Sequence, residues 1–175
     1  MLKSKYCLAI FCIFFLGNVQ ANAAIEILRD DSGNIRRMNQ YEASGVNPQT
    51  GKKETPDVCE AAGKGHLPTA RELAKISQAR GAKGILEPNQ VKPSKLSTGF
   101  GRISAIDPNG QLDEFYFSDV GYQRPQQEYL TALFWSSSIN SRSSDEVYAL
   151  NGAYGNVYVE FRVRYNLAVL CVTGL

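Results

Sequence analysis

The stretch GHLPTARELAKI, residues 65–76, decides how this chain is read. Pro68 holds the backbone extended ahead of a helix. Thr69-Ala70-Arg71-Glu72 has the spacing of a capping box. In that motif the Thr69 hydroxyl accepts the Glu72 N–H, and the Glu72 carboxylate accepts the Thr69 N–H. Leu73 and Ile76 share one face with Ala70 and Ala74 nearby, which is the pattern of a helix seated on a core. Gly81 is a natural stop. The stretch also holds His66, the one histidine of the chain. A Ser-His-Asp triad would have to use it. The serines are too many for any one to be singled out, so His66 reads as a loop residue that caps or packs at the helix entrance.

Upstream, Thr55-Pro56 predicts a shorter helix with Thr as N-cap and Pro at its first position, carrying Cys59 and ending at Gly63. Residues 39–54 are polar, contain Asn47-Pro48 and Gly51, and read as a loop. Residues 24–38 read as strand, turn at Asp31-Ser32-Gly33, and strand. Downstream, residues 81–101 are expected to be irregular. RISAIDPNGQLDEFYFS reads as two strands around a Pro-Asn-Gly turn. Residues 119–131 are loop-like, and the last third is strand-rich: LFWSSS, EVYALN, VYVEFRV and LAVLCV. In VYVEFRV the alternation predicts Val157, Val159, Phe161 and Val163 on the core, with Tyr158, Glu160 and Arg162 facing solvent. Early helices, long loops and late antiparallel strands define an α+β class.

The chain opens on Lys3 and Lys5, an apolar run to Leu16, and Ala21-Asn22-Ala23. That is the pattern of a secretory signal peptide over residues 1–23, too short in its apolar core to span a membrane. Cleavage there leaves one domain, 24–175, secreted or periplasmic. The whole chain has 19 Lys+Arg and 17 Asp+Glu, and loss of Lys3 and Lys5 evens them. A near-neutral protein is not built to bind nucleic acid by charge. Cys7 and Cys12 leave with the leader. Cys59 and Cys171 remain, an even pair that an oxidising compartment joins as a disulfide. Two cysteines, one histidine and no C-x-x-C argue against zinc.

Cys59, HLPTARELAKI, FWSSS at 134–138 and LCV at 170–172 occur in an order that resembles the Lcl C-terminal domain family, bacterial C-type-lectin-like domains. The resemblance covers about residues 55–173. His66 and Leu170 stand where the family pattern has Arg. The resemblance implies a C-type-lectin-like fold with two short helices, antiparallel strands and long loops. It also implies a non-catalytic module without a cofactor that binds a cell-surface glycan or protein. One branch is linked to sulfated glycans, but its basic residues do not map here by motif. GNVYVEF is faintly similar to a segment of the formylglycine-generating enzymes, an oxidoreductase alternative that needs free thiols at Cys59 and Cys171. A structural or assembly subunit of an envelope or appendage complex is a further alternative.

Glu87-Pro88-Asn89 spells the tripeptide of calcium-dependent lectins, but it falls too early and lacks an acidic cluster after Trp135. Asp107, Asp113 and Asp119 do not have EF-hand spacing, so no metal site is assigned. Trp135 is expected in the core. The ligand-binding candidates are Tyr154, Tyr158, Arg162, Arg164 and Tyr165, residue types enriched where surfaces bind partners. The competing reading of those five is an ordinary solvated sheet face.

Overall fold

The computed structural model describes residues 24–174, so the expected leader and its cleavage pattern lie outside it. Strands β1 (Ala24–Ile27) and β2 (Arg37–Met38) flank a turn in which Asp30 Oδ1 accepts the Ser32 and Asn34 N–H groups, both at 2.9 Å. Helix α1 (Gln40–Ser44) follows, in a stretch expected to be loop. Asn39 caps it by accepting the Glu42 N–H, and Gly45 closes it in the left-handed region at φ 71°. A helix this short shows no apolar period, which is why the pattern hides it. Helix α2 (Val58–Ala61) starts later than the Thr55-Pro56 signal suggests. Asp57 is the true N-cap. Its Oδ1 takes the Cys59 and Glu60 N–H groups, and Glu60 reaches back to the Asp57 N–H at 2.8 Å. Helix α3 (Ala70–Gln78) starts where expected, with both bonds of the Thr69–Glu72 box formed at 3.2 and 2.8 Å.

The stretch expected to be irregular contains β3 (Gly84–Leu86), a 3-10 turn at Pro88–Gln90 and α4 (Pro93–Leu96). The expected hairpin is β4 (Gly101–Ile106) with β5 (Leu112–Ser118). Then come β6 (Leu133–Asn140), β7 (Ser143–Asn151) and β8 (Val157–Phe161). LAVLCV, expected as one strand, divides between β9 (Leu167–Ala168) and β10 (Leu170–Thr173). Strand β9 joins the main sheet beside β2 and β6, while β10 leaves it to pair antiparallel with β1. The whole is an α+β arrangement, mostly strand, with short helices and two open sheets.

Strands β6 and β7 are central, and both of their faces are buried. Trp135, Val147 and Ala149 pack with Ala43 of α1, Cys59 of α2 and Cys171. Phe134 and Leu150 pack with Leu73 and Ile76 of α3 on the other side, and Tyr148 packs with Ala70 and Ala74. The open side expected of the terminal sheet is therefore absent at β6 and β7 and is found only at β8. At these two strands α1 and α2 pack on one face and α3 on the other. Cys59 and Cys171 are bonded, closing a loop across 112 residues. In the chain-entropy account, a loop of that length contributes roughly 4–5 kcal/mol.

Strand β6 bulges between Trp135 and Ile139, where its register with β7 shifts. The bulge frees Ser136, Ser137 and Ser138 to face other segments. Ser137 N–H and Oγ both donate to the Pro68 carbonyl, at 2.8 and 3.2 Å. Ser138 Oγ accepts the Ala70 N–H at 3.0 Å, satisfying a free donor in the first turn of α3. LPT and WSSS are thus two halves of one joint. Next to it, His66 exchanges backbone hydrogen bonds with Val172, and Gly65 (φ 87°) lies so close to the Val172 carbonyl that no Cβ fits.

Candidate functional site

The five candidate residues do not form one surface. Tyr154 is 70% exposed in the β7–β8 turn. Arg164 and Tyr165 are exposed beyond the other end of β8, with the Arg164 guanidinium 5.5 Å from the Tyr165 ring centre. Tyr158 is half-buried against the Trp135 cluster, and burial pushes its hydroxyl pKa up. Arg162 is 3% exposed, which corrects its expected solvent orientation.

The alternation in VYVEFRV is present but inverted at its C-terminal half. Tyr158 pairs across from Ala149 and Glu160 from Val147, both on the Trp135 side. Val157 packs into the α3 side, but Val159 (37% exposed) and Phe161 (44%) emerge into solvent, followed by Val163 (72%). Strand β8 pairs only with β7, so its other edge is unpaired among the described residues. Val159 and Phe161 therefore form an apolar strip on an edge strand, the opposite of their expected burial. The inversion has a physical cause. Arg162 finds polar partners inside that the outer face does not supply.

Those partners come from α1 and β7. Arg162 Nε donates to Gln40 Oε1 at 2.7 Å, and Nη1 donates to the Ser144 carbonyl at 3.2 Å. The guanidinium carbon lies 4.0 Å from the Tyr41 ring centre, a cation–π contact. Gln40 is itself fully buried and donates from Nε2 to the Ser136 carbonyl at the β6 bulge. The Arg162 Nη2 has no hydrogen-bond partner among the described residues. Burial pushes this guanidinium below its ordinary pKa. Arg162 also lines a cavity of about 260 Å³ together with Ser44, Lys53, Ile106, Ser137 and Ile139.

A second, polar cleft of about 580 Å³ adjoins this cavity, and Lys53, Asp57, Asp107 and Pro108 line both. In the cleft, His66 Nε2 lies 3.0 and 3.1 Å from the two Glu72 oxygens. His66 braces the capping box, and no serine hydroxyl bonds its imidazole among the described residues. Lys53 bonds Glu60 at 2.8 Å, and this bond, with the Asp57 N–H, holds the Glu60 carboxyl below its usual range. Arg71 bonds Asp113 and Glu87, so the Glu87 of Glu87-Pro88-Asn89 is engaged in an ion pair. Hydrogen bonds to Asp113 and Glu87 raise the Arg71 pKa further. Every charge in this cleft named here has a partner.

Gln40 and Lys53 were not singled out from the sequence. Gln40 sits in the short helix that shows no period. Lys53 is one lysine in a polar stretch, distinguished only by the cavity it borders. Trp135 is fully buried as expected, with Nε1 donating to the Met38 carbonyl at 2.7 Å. No family model, no curated protein and no solved structure matches the chain. Among the described residues, no helix is long and apolar enough to cross a membrane.

Proposed function

We propose that this chain is an exported, non-catalytic recognition module that docks a protein ligand on a cell surface through the outer face of β8. The observation that carries the reading is the exposed strip of Val159 and Phe161 on an edge strand, continued by Val163 in the turn that follows it. Exposed apolar groups on a strand edge that has no partner strand among the described residues suit an extended partner segment, which adds as a strand and seats alternate side chains. A glycan ligand is the second reading, supported by the exposed rings of Tyr154 and Tyr165 and by Arg164 against Tyr165.

The scaffold in this proposal is the C-type-lectin-like fold of the family that the Cys59, LPT, WSSS and LCV segments resemble. Three features support it: β1 pairs with β10, Cys59 on α2 bonds Cys171 on β10, and the LPT and WSSS segments meet at the bulge. The disulfide is also in keeping with an oxidising compartment.

Binding of the oxidised protein to a panel of intact cells, read by flow cytometry, tests the function. Loss of binding with Phe161→Asp, and after protease treatment of the cells, supports a protein ligand. Loss after glycosidase treatment alone, with Tyr165→Ala as the sensitive variant, favours the glycan. Equal binding by wild type and Phe161→Asp removes the β8 surface from the account.

A further inference from the structure

We infer that the cavity lined by Arg162 is a second binding site, separate from the outer face of β8, for a small organic carboxylate. The inference starts from an imbalance. Arg162 is buried with its Nη2 unpartnered, and no carboxylate pairs with its guanidinium among the described residues. A buried polar group without a partner is rare in folded proteins and asks for an explanation. A buried charge is normally paired. Gln40, Ser144 and the Tyr41 ring fix the guanidinium in place but bring no opposite charge, and the nearby Asp145 carboxylate acts on it through space without an ion pair among the described residues. The fork is therefore held rigid with donors to spare, which suits a planar carboxylate.

The carboxylates bordering the cavity are engaged elsewhere. Asp57 caps α2 with Oδ1 and accepts the Leu67 N–H with Oδ2. Asp107 Oδ1 accepts the Asn109 and Gln111 N–H groups in the β4–β5 turn. Lys53, already paired with Glu60 at 2.8 Å, and Ser44 also border the cavity, as does Ser137, whose hydroxyl donates to the Pro68 carbonyl. Ile106 and Ile139 give an apolar wall for the body of a ligand. At about 260 Å³ the cavity lies just below the roughly 300–1,000 Å³ of typical small-molecule sites. That size fits an occupant such as one sugar acid or one amino acid.

The test is a titration of the oxidised full domain with glucuronate, galacturonate and glutamate, followed by NMR of the Arg162 guanidinium and the Ile106 and Ile139 methyls. Saturable shifts at all three positions with one of these acids, absent with its methyl ester or amide, are expected. Arg162→Lys, which keeps the charge and loses the fork, should weaken binding by about tenfold or more. Because that variant disturbs the Gln40 contact, Ile106→Phe serves as a second probe that narrows the cavity without touching Arg162. Binding should be lost in it while the Arg162 guanidinium signal stays in place. The inference is overturned if no probe gives saturable shifts, if the neutral ester or amide binds as well as the acid, or if a folded Ile106→Phe protein binds normally. The β8 docking surface is read separately, since Phe161→Asp should leave this titration unchanged.

Discussion

The inner face of β8 is polar where a core-facing strand is expected to be apolar, and the outer face is apolar where it meets solvent. Tyr158, Glu160 and Arg162 turn toward the Trp135 side, while Val159 and Phe161 turn out. Alternation assigns residues to two faces but does not say which face is covered. Here the deciding elements lie elsewhere in the sequence. Helix α1 brings Gln40 and Tyr41 to Arg162, and no element covers the outer face beyond Val157 among the described residues.

The sharpest challenge to this contrast is to loosen the side on which the inner face rests. Cys59→Ser with Cys171→Ser removes the bond that ties α2 to β10 beneath the Trp135 cluster, and should cost about 2–5 kcal/mol. Urea unfolding of the double variant against wild type measures it. Arg162→Ala comes next. It removes the Gln40 bond and the Tyr41 contact, and about 2–3 kcal/mol of stability should go with them. If its denaturation midpoint matches wild type, Arg162 is not an inner-face anchor. Thr69→Ala, at a cap far from β8, should cost about 1 kcal/mol by thermal melting and leave the Arg162 environment unchanged.

Phe161→Ser should shift stability by less than about 0.5 kcal/mol, since the ring is exposed, while abolishing cell binding. A large loss of stability would mean that the outer face is covered after all. The smallest effect is acid-dependent. The native Glu60 carboxyl is held below its ordinary pKa by Lys53 and the Asp57 N–H, so the unfolded chain binds the proton first as pH falls. Its contribution is present above the ordinary glutamate range and is lost as pH falls through the lowered native value. Glu60→Gln should slightly flatten the acid limb of a stability–pH curve.

Much of the framework was legible in the sequence because its signals are local. Thr69 and Glu72 cap a helix through neighbouring atoms, and the Asp107–Gly110 turn follows from the Asp, Pro, Asn and Gly that form it. Helix α1 was hidden because a single short helix carries too few residues to show a period. Reading Thr55-Pro56 as the start of α2 overlooked Asp57 and Glu60, which have the spacing of a stronger box. In the candidate site, Tyr154, Arg164 and Tyr165 are exposed as expected, but Arg162 is not. An arginine between Phe161 and Val163 reads as exposed unless a partner 122 residues away is known.

The sequence by itself determined the α+β class, the α3 capping box, the β4–β5 hairpin and the two cysteines available to pair, because each depends on nearby residues or on composition. Tertiary structure alone decided that LPT and WSSS form one joint, that LAVLCV divides between two sheets, and that Arg162, just past β8, turns inward. The physical reason is that a face, a bulge or a buried charge is stabilised by what packs against it. Those contacts are made by segments distant along the chain.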